Sequence, residues 1–477
     1  MKYLIVTMLS LLLLLSAKSD KKQYDESYRP QYHFSPEKNW MFQSNGFLYS
    51  EGEYHLFYHN ISIGNKRFKD ELGHAVSKDL LHWVHQPFAL TLEDRAADPD
   101  AAQPTSGSAV IDSMNVAGFQ QNGKKTMLIF YSDSKGDQNL AYSVDKGATW
   151  KRYPNNPILK NSGGESHDPK VFYHTPSGKW IMALYRNQGE GADKAGISFY
   201  NSEDMLQWKF SSHLEGIGES PDLFEIASEV PGSAKKWVAI SGEGEYKIGN
   251  FDGLTFNPET GLQKLDLGKN FFAAQSLYNA PQNKSVLIAW MRGGEYTDMP
   301  FNGQMSFPTE LSLRTTAKGL VLCRKPIETI SSIYKDEIKK KDKNFIPGLK
   351  GSLVGGIKGD AIFIRATFKP GTSDSFGFIV RSGKKSEGTD IHYDTAKKTL
   401  EVNGIKMIVE PLDGKIELEI LLDRASIEIF ANHGEAGLST CFAPVQGEEE
   451  LLLYTQGGEL YLESLEAYNL KSVWANK

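Results

Sequence analysis

The chain has 477 residues and a formal net charge of −6; 40% of the residues are hydrophobic, 23% charged and 11% aromatic. That length exceeds one compact core, so two domains are expected. With no basic stripe to offset the negative balance, nucleic acid is excluded as an expected partner.

In chain order, residues 1–19 read as a secretory signal: Lys2 opens, an apolar run extends to Leu15, and small residues follow at Ser16, Ala17 and Ser19. The run is too short to span a bilayer well and no second candidate follows. The expectation is an exported protein, periplasmic or extracellular, with no integral membrane span. Only Cys323 and Cys441 are present, which rules out a disulfide scaffold. They either pair across domains or, more simply, are two separately buried thiols.

Residues 24–325 carry an internal repeat. Three times an apolar strand end runs into Ser-x-Asp, a turn and Trp: Ser77-Lys78-Asp79 with Trp83, Ser143-Val144-Asp145 with Trp150, and Ser202-Glu203-Asp204 with Trp208. Recurrence about every 60 residues argues for a radial or stacked architecture. Alternating strands are expected between these marks, among them 53–59, 126–132, 179–185 and 237–241. Four short strands per unit is what a propeller blade needs, and blades leave only protected edges. Residues 326–347 are polar and Lys-rich and read as a linker with one short helix, 327–334; Lys339-Lys340-Lys341 there is a solvated run, not a binding patch. Strands of a different spacing follow in 348–472, such as 360–368, 375–381, 415–422 and 426–431, and suit an antiparallel sandwich. The fold class is all-β.

Chemistry concentrates in three distant stretches: Trp40-Met41-Phe42-Gln43-Ser44-Asn45-Gly46, Ser166-His167-Asp168-Pro169 and Glu219-Ser220-Pro221-Asp222. Glycoside hydrolysis uses two carboxyl groups flanking the scissile bond. Glu219 follows a Gly-rich approach and sits at a strand end, where partial desolvation would raise its pKa toward that of a general acid. An isolated Glu of this kind is more often a solvated surface carboxylate. Asp168 precedes Pro169, which predicts an extended backbone at Asp168; Asp-Pro is also an ordinary turn dipeptide. His167 reads as a hydrogen-bond donor to a ligand or as a turn residue. Trp83, Trp150, Trp208 and Trp290 read as blade packing, and Trp40, beside Asn45-Gly46, as a ligand wall.

Together these stretches resemble the invertase–levanase–inulinase family of glycosidases (glycoside hydrolase family thirty-two), and the likeness spans nearly the whole chain after residue 23. Its carriers are Trp40-Met41 with Asn45-Gly46, Tyr54-His55-Leu56-Phe57-Tyr58, Gly73-His74-Ala75-Val76-Ser77, Ser106-Gly107-Ser108-Ala109-Val110, Asp168-Pro169-Lys170-Val171-Phe172, and Glu219 with Pro221-Asp222-Leu223-Phe224. Ala273-Ala274-Gln275-Ser276, Gly303-Gln304-Met305-Ser306 and Asp423-Arg424-Ala425-Ser426-Ile427-Glu428 complete the set. The resemblance implies a five-bladed propeller with its site at one mouth of the axis, a following β-sandwich, substrates with β-fructofuranosyl units, and no metal or cofactor. It implies Glu219 as general acid/base, Asp168 as the carboxylate that stabilises an oxocarbenium-like transition state, and Ser106, Asn45 and Trp40 around the sugar. Four departures stand out. Gln43 replaces the nucleophilic Asp of an Asn-Asp-Pro pattern; His167 replaces an Arg; Asp70-Glu71-Leu72 replaces a Trp-containing segment; Ser220 replaces a Cys.

A carboxamide is a far poorer nucleophile than a carboxylate. Losing such a group costs on the order of 5 kcal/mol or more of barrier. Two readings follow. One is a hydrolase of fructans or related fructosides in which Asp70 or Glu71 supplies the missing carboxylate. The other is a catalytically inactive carbohydrate-binding protein.

Overall fold

The computed structural model describes residues 24–63, 68–91, 103–187, 194–230, 232–294, 296–347 and 357–474; the expected signal at 1–19 lies outside them. Five sheets succeed one another from Asn39 to Pro326 and form the blades of a propeller. The inner strands are Asn39–Ser50 in blade I, Ser106–Asp112 in II, Glu165–His174 in III, Asp222–Ile226 in IV and Phe271–Ser276 in V. The inner strands of blades I and II, II and III, IV and V, and V and I pack side by side around the axis, and Lys170 of blade III reaches Asp222 of blade IV at 2.8 Å. The ring closes where Leu48 of blade I forms a parallel bridge with Tyr278, just past the inner strand of blade V, through Tyr49 N to Tyr278 O at 3.0 Å and Tyr278 N to Phe47 O at 2.9 Å.

The Ser-x-Asp…Trp repeat is the turn between the third and fourth strands of blades I to III. In each copy the Ser hydroxyl donates to the Asp carboxylate, and the Trp indole N–H donates to the carbonyl of the turn's left-handed residue. These indole bonds are Trp83 to Leu80 at 3.1 Å, Trp150 to Gly147 at 3.0 Å and Trp208 to Met205 at 3.0 Å. Ser and Asp satisfy the backbone N–H groups that a tight turn frees, which is why they mark it. Blades IV and V lack the motif, so only three copies are visible in the sequence.

The second domain is a sandwich of a six-stranded and a five-stranded sheet, its core built from inward residues such as Ile364, Phe376, Phe378, Ile420 and Leu453. The expected linker at 326–347 is corrected here. After a 3-10 turn at Glu328–Ile333, Tyr334–Phe345 is a strand paired antiparallel with Leu460–Leu470 at the edge of the larger sheet. Its lysines are the charged outer residues with which an edge strand discourages further pairing, and this made the segment resemble a linker.

The two domains share one buried core in which Phe34, Phe307 and Ile330 meet Phe363, Leu421 and Tyr468. An ionic cluster lies inside it. His33 bonds Asp423 through Nδ1 at 2.7 Å and Glu428 through Nε2 at 2.9 Å, and all three side chains are fully buried. Arg324 pairs with Asp266 and faces Glu428 at 3.6 Å. The Asp423-Arg424-Ala425-Ser426 corner therefore locks the domains together. Cys323 and Cys441 are both free thiols.

Candidate functional site

The mouth of the propeller is shaped by a repeated irregularity. In blade I, Phe42 and Gln43 lie in a register shift between Met41 and Ser44; in blade III the shift falls at Asp168-Pro169; in blade V it falls at Ala273-Ala274. A bulge on an inner strand bends the strand and re-aims one side chain, here toward the axis. Backbone strain accompanies it: Asp168 has φ 59°, Ser220 φ 53° and Ala273 φ 49°. The extended backbone expected before Pro169 is thus corrected, because Asp168 is pinned on every side. Non-glycine residues on the left-handed side cost on the order of 1–3 kcal/mol each and gather at functional sites.

The largely buried Asp168 carboxylate takes four donors. Oδ2 accepts from Ser220 N at 2.9 Å, Ser220 Oγ at 2.9 Å and His167 Nδ1 at 2.8 Å. Oδ1 accepts from Gln43 Nε2 at 3.2 Å. Its own N–H donates to Ser106 Oγ at 3.0 Å. Burial alone would raise the Asp168 pKa, but His167 and the Ser106 and Ser220 hydroxyls outweigh it and hold the carboxyl below the ordinary range. His167 moves the other way: burial disfavours its charge, yet Asp168, Glu219 and Glu165 raise it above the usual histidine value. Glu219, exposed at the rim, is raised by partial desolvation and by the Asp168 charge, with His167 and Arg292 opposing.

Gln43, Ser106, His167, Asp168 and Glu219 line one open cavity of about 610 Å³, with Asp133, Lys135, Asn161, Phe272, Trp290 and Arg292 among the remaining lining. Beneath it, Gln43, Ser44, Asp168, Lys170, Ser220 and Gln275 enclose a hollow of about 20 Å³, room for one water. Below that, Lys170 Nζ donates to Asp222 Oδ2 at 2.8 Å and to Ser276 O at 3.1 Å, which ties blades III, IV and V at the axis.

Four expected residues stand elsewhere. Asp70 is held by His59 at 3.2 Å, and neither Asp70 nor Glu71 is among the described residues lining the cavity, so neither is placed to supply a carboxylate there. Asn45 is fully buried behind the site, and neither of its amide atoms finds a partner among the described residues. Trp40 packs on Phe42 at 6.4 Å, and Phe42 in turn on the cavity-lining Trp290 at 5.2 Å, so two rings separate Trp40 from the cavity. The aromatic wall is instead Trp290, read from sequence as packing, with Phe272 at 6.2 Å. Arg292 lies over Phe272 at 3.8 Å and pairs with Glu243. Nothing in the sequence flagged Phe272, Arg292 or Asp133, because they converge only through the ring.

The N-terminal domain model of glycosyl hydrolases family 32 matches residues 33–326, and its C-terminal model matches 328–469. The chain belongs to glycosyl hydrolase family 32. Among relatives in this family, a levanase of Bacillus subtilis (strain 168) is 34% identical over 526 residues, covering 99% of this chain and 76% of the levanase. An extracellular exo-inulinase of Aspergillus niger is 29% identical over 523 residues, covering 94% and 96%. The crystal structure of exo-inulinase from Aspergillus awamori superposes with a TM-score of 0.84 at 27% identity, covering 94% of this chain and 100% of that one. The family 32 propeller and sandwich expected from the resemblance are the observed architecture. Among the described residues, no helix is long and apolar enough to cross a membrane.

Proposed function

We propose that this chain is a secreted hydrolase of fructans or fructosides that holds a β-fructofuranosyl unit at the propeller mouth. Glu219 is its acid/base, Asp168 its transition-state stabiliser and Gln43 a holding group. The observation that carries this reading is the opposite displacement of two carboxyls around one cavity: Asp168 is held ionised and Glu219 is pushed toward the protonated form. A pair separated in this way divides into stabilising anion and proton donor. Export is in keeping with the leader-like residues 1–19 and with the extracellular inulinase relative.

Gln43 has no carboxylate oxygen, so the fructosyl ester of a double displacement does not form on it. The route left to these side chains is direct. Glu219 protonates the leaving glycosidic oxygen as its bond to the anomeric carbon breaks, and the Asp168 charge stabilises the cation developing on the sugar. Water captures that cation and returns a proton to Glu219. Without covalent assistance this route is slower by several powers of ten, on the order of 5 kcal/mol of barrier.

A second reading, binding without turnover, is favoured by the Gln43 Nε2 to Asp168 Oδ1 bond. Such an amide donates to and accepts from sugar hydroxyls and keeps a recognition site intact. The deciding experiment incubates the purified protein with levan, inulin, sucrose and short fructo-oligosaccharides, follows free fructose, and repeats the assay with Glu219→Gln. Fructose release that disappears in the variant supports the hydrolase. Saturable binding without release supports the second reading, and no binding to any fructoside refutes both.

A further inference from the structure

A second hollow of about 500 Å³ lies on blade III, lined by Lys160, Arg186, Lys194, Tyr200, Phe210 and Glu215 among others. It is separated from the propeller mouth by a single segment. Asn161 and Gly164 line the mouth cavity, while Lys160 and Ser162 line this one. The dividing segment is held rigidly. Arg186, itself 2% exposed, donates from one guanidinium nitrogen to Ser162 Oγ at 3.1 Å and Gly163 O at 2.9 Å, and from the other to Tyr200 Oη at 3.2 Å.

Phe210 stands out in this hollow. It is 54% exposed, set edge-on to the buried Tyr200 at 5.7 Å, so that one ring supports the other at a fixed orientation. An aromatic face left to solvent beside hydrogen-bonding groups of both signs, Lys160 and Lys194 against Glu215, is the chemistry that receives a sugar: C–H bonds on the ring face, hydroxyls on the charged rim. The apolar area is too small and its surroundings too polar for a stable protein partner.

We infer that this hollow is a second saccharide-binding site for a fructan chain whose terminal unit lies in the mouth, the polymer crossing the 161–164 ridge to rest on Phe210. The inference depends on the fructoside reading above but not on turnover, since it concerns binding alone. It separates ligands by length: a di- or trisaccharide fills the mouth without reaching Phe210, whereas levan or inulin reaches both.

The test compares the full chain with Phe210→Ala and Phe210→Trp by calorimetric titration against a fructotriose and against levan and inulin. The expected result is a loss of about five- to tenfold in polymer affinity for Phe210→Ala, retention in Phe210→Trp, and unchanged trisaccharide affinity in both. Parent and Phe210→Ala binding polymer equally overturns this inference and leaves the fructoside reading standing. A trisaccharide affinity that falls along with the polymer's also overturns it. A parent that binds none of the three overturns the function proposed above, and this site with it.

Discussion

Gln43 Nε2 donates to Asp168 Oδ1 at 3.2 Å, joining the bulged inner strand of blade I to the bulged inner strand of blade III across the mouth. Oδ2 of the same carboxylate already holds three donors. Oδ1, with Gln43 as its one bonded donor among the described residues, is therefore the oxygen with capacity left for a sugar hydroxyl. The amide at Gln43 thus leaves a carboxylate that is both ionised and partly available.

Restoring the carboxylate should restore the covalent route. Gln43→Asp is expected to raise fructose release from sucrose or a fructo-oligosaccharide by roughly a hundredfold or more over the parent. Because Asp is one methylene shorter and returns a second negative charge beside Asp168, recovery should be incomplete. Initial rates for the two proteins at matched concentration check this; equal rates would mean that Gln43 does not limit the chemistry.

The pH profile follows from the two carboxyls. In the function proposed above Glu219 acts protonated, and its pKa lies above the ordinary value of 4.5, so activity should fall as pH rises beyond that displaced value. In the same proposal Asp168 acts ionised, and its pKa lies below 3.8, so the acid limb should begin only beneath that point. Ser220→Ala removes a donor to the Asp168 anion and should move the acid limb upward by up to roughly one pH unit, with the alkaline limb much less affected. Rate measurements across the acid range, in both proteins, read this directly.

The interdomain cluster makes a prediction about stability. His33 is raised from 6.5 to about 9: burial opposes its charge, but Asp423 and Glu428 more than reverse that. Its contribution is complete below pH 6.5 and is lost as pH climbs through about 9. Asp423 and Glu428 are held below 3.8 and 4.5, so theirs is present above those values and lost as pH falls through the lower folded ones. Thermal midpoints should plateau between about pH 4.5 and 6.5 and decline on either side. His33→Gln leaves two buried carboxylates short of a counter-charge and should cost about 3–5 kcal/mol, while flattening the alkaline decline. Differential scanning calorimetry over pH tests both statements.

Lys170 and Asp222 form the ion pair at the axis below the site, with side chains 6% and 0% exposed. Replacing Lys170 by Met leaves Asp222 unpaired among blades III to V and is expected to destabilise the chain by about 3–5 kcal/mol. The midpoint of denaturant unfolding, measured beside the parent, is the check. An unchanged midpoint would mean that this pair does not hold the ring together.

Much of this architecture is legible along the chain, since its signals are local. The Ser-x-Asp…Trp turns were readable because the residues that satisfy one turn sit within a few positions of each other, and strands such as Thr126–Ser132 and Ser426–Ala431 have the expected bounds. Gln43, Asp168 and Glu219 were readable because each lies in a motif of its own. The strand at Tyr334–Phe345 was not, because an edge strand facing water has the composition of a linker. Trp290 carried a signal, an indole at the end of an apolar strand, but that signal also fits packing.

The sequence by itself determined the blade repeat, the carboxyls of Asp168 and Glu219 and the amide at Gln43, since each is written in side-chain identity over a short span. Only the tertiary structure decided which groups share a cavity: Trp290, Phe272 and Arg292 enter it, while Asp70 and Glu71 do not. The physical reason is that a ring of blades brings together inner-strand residues a hundred or more positions apart, and the direction each side chain takes there depends on a bulge that spacing along the chain does not record.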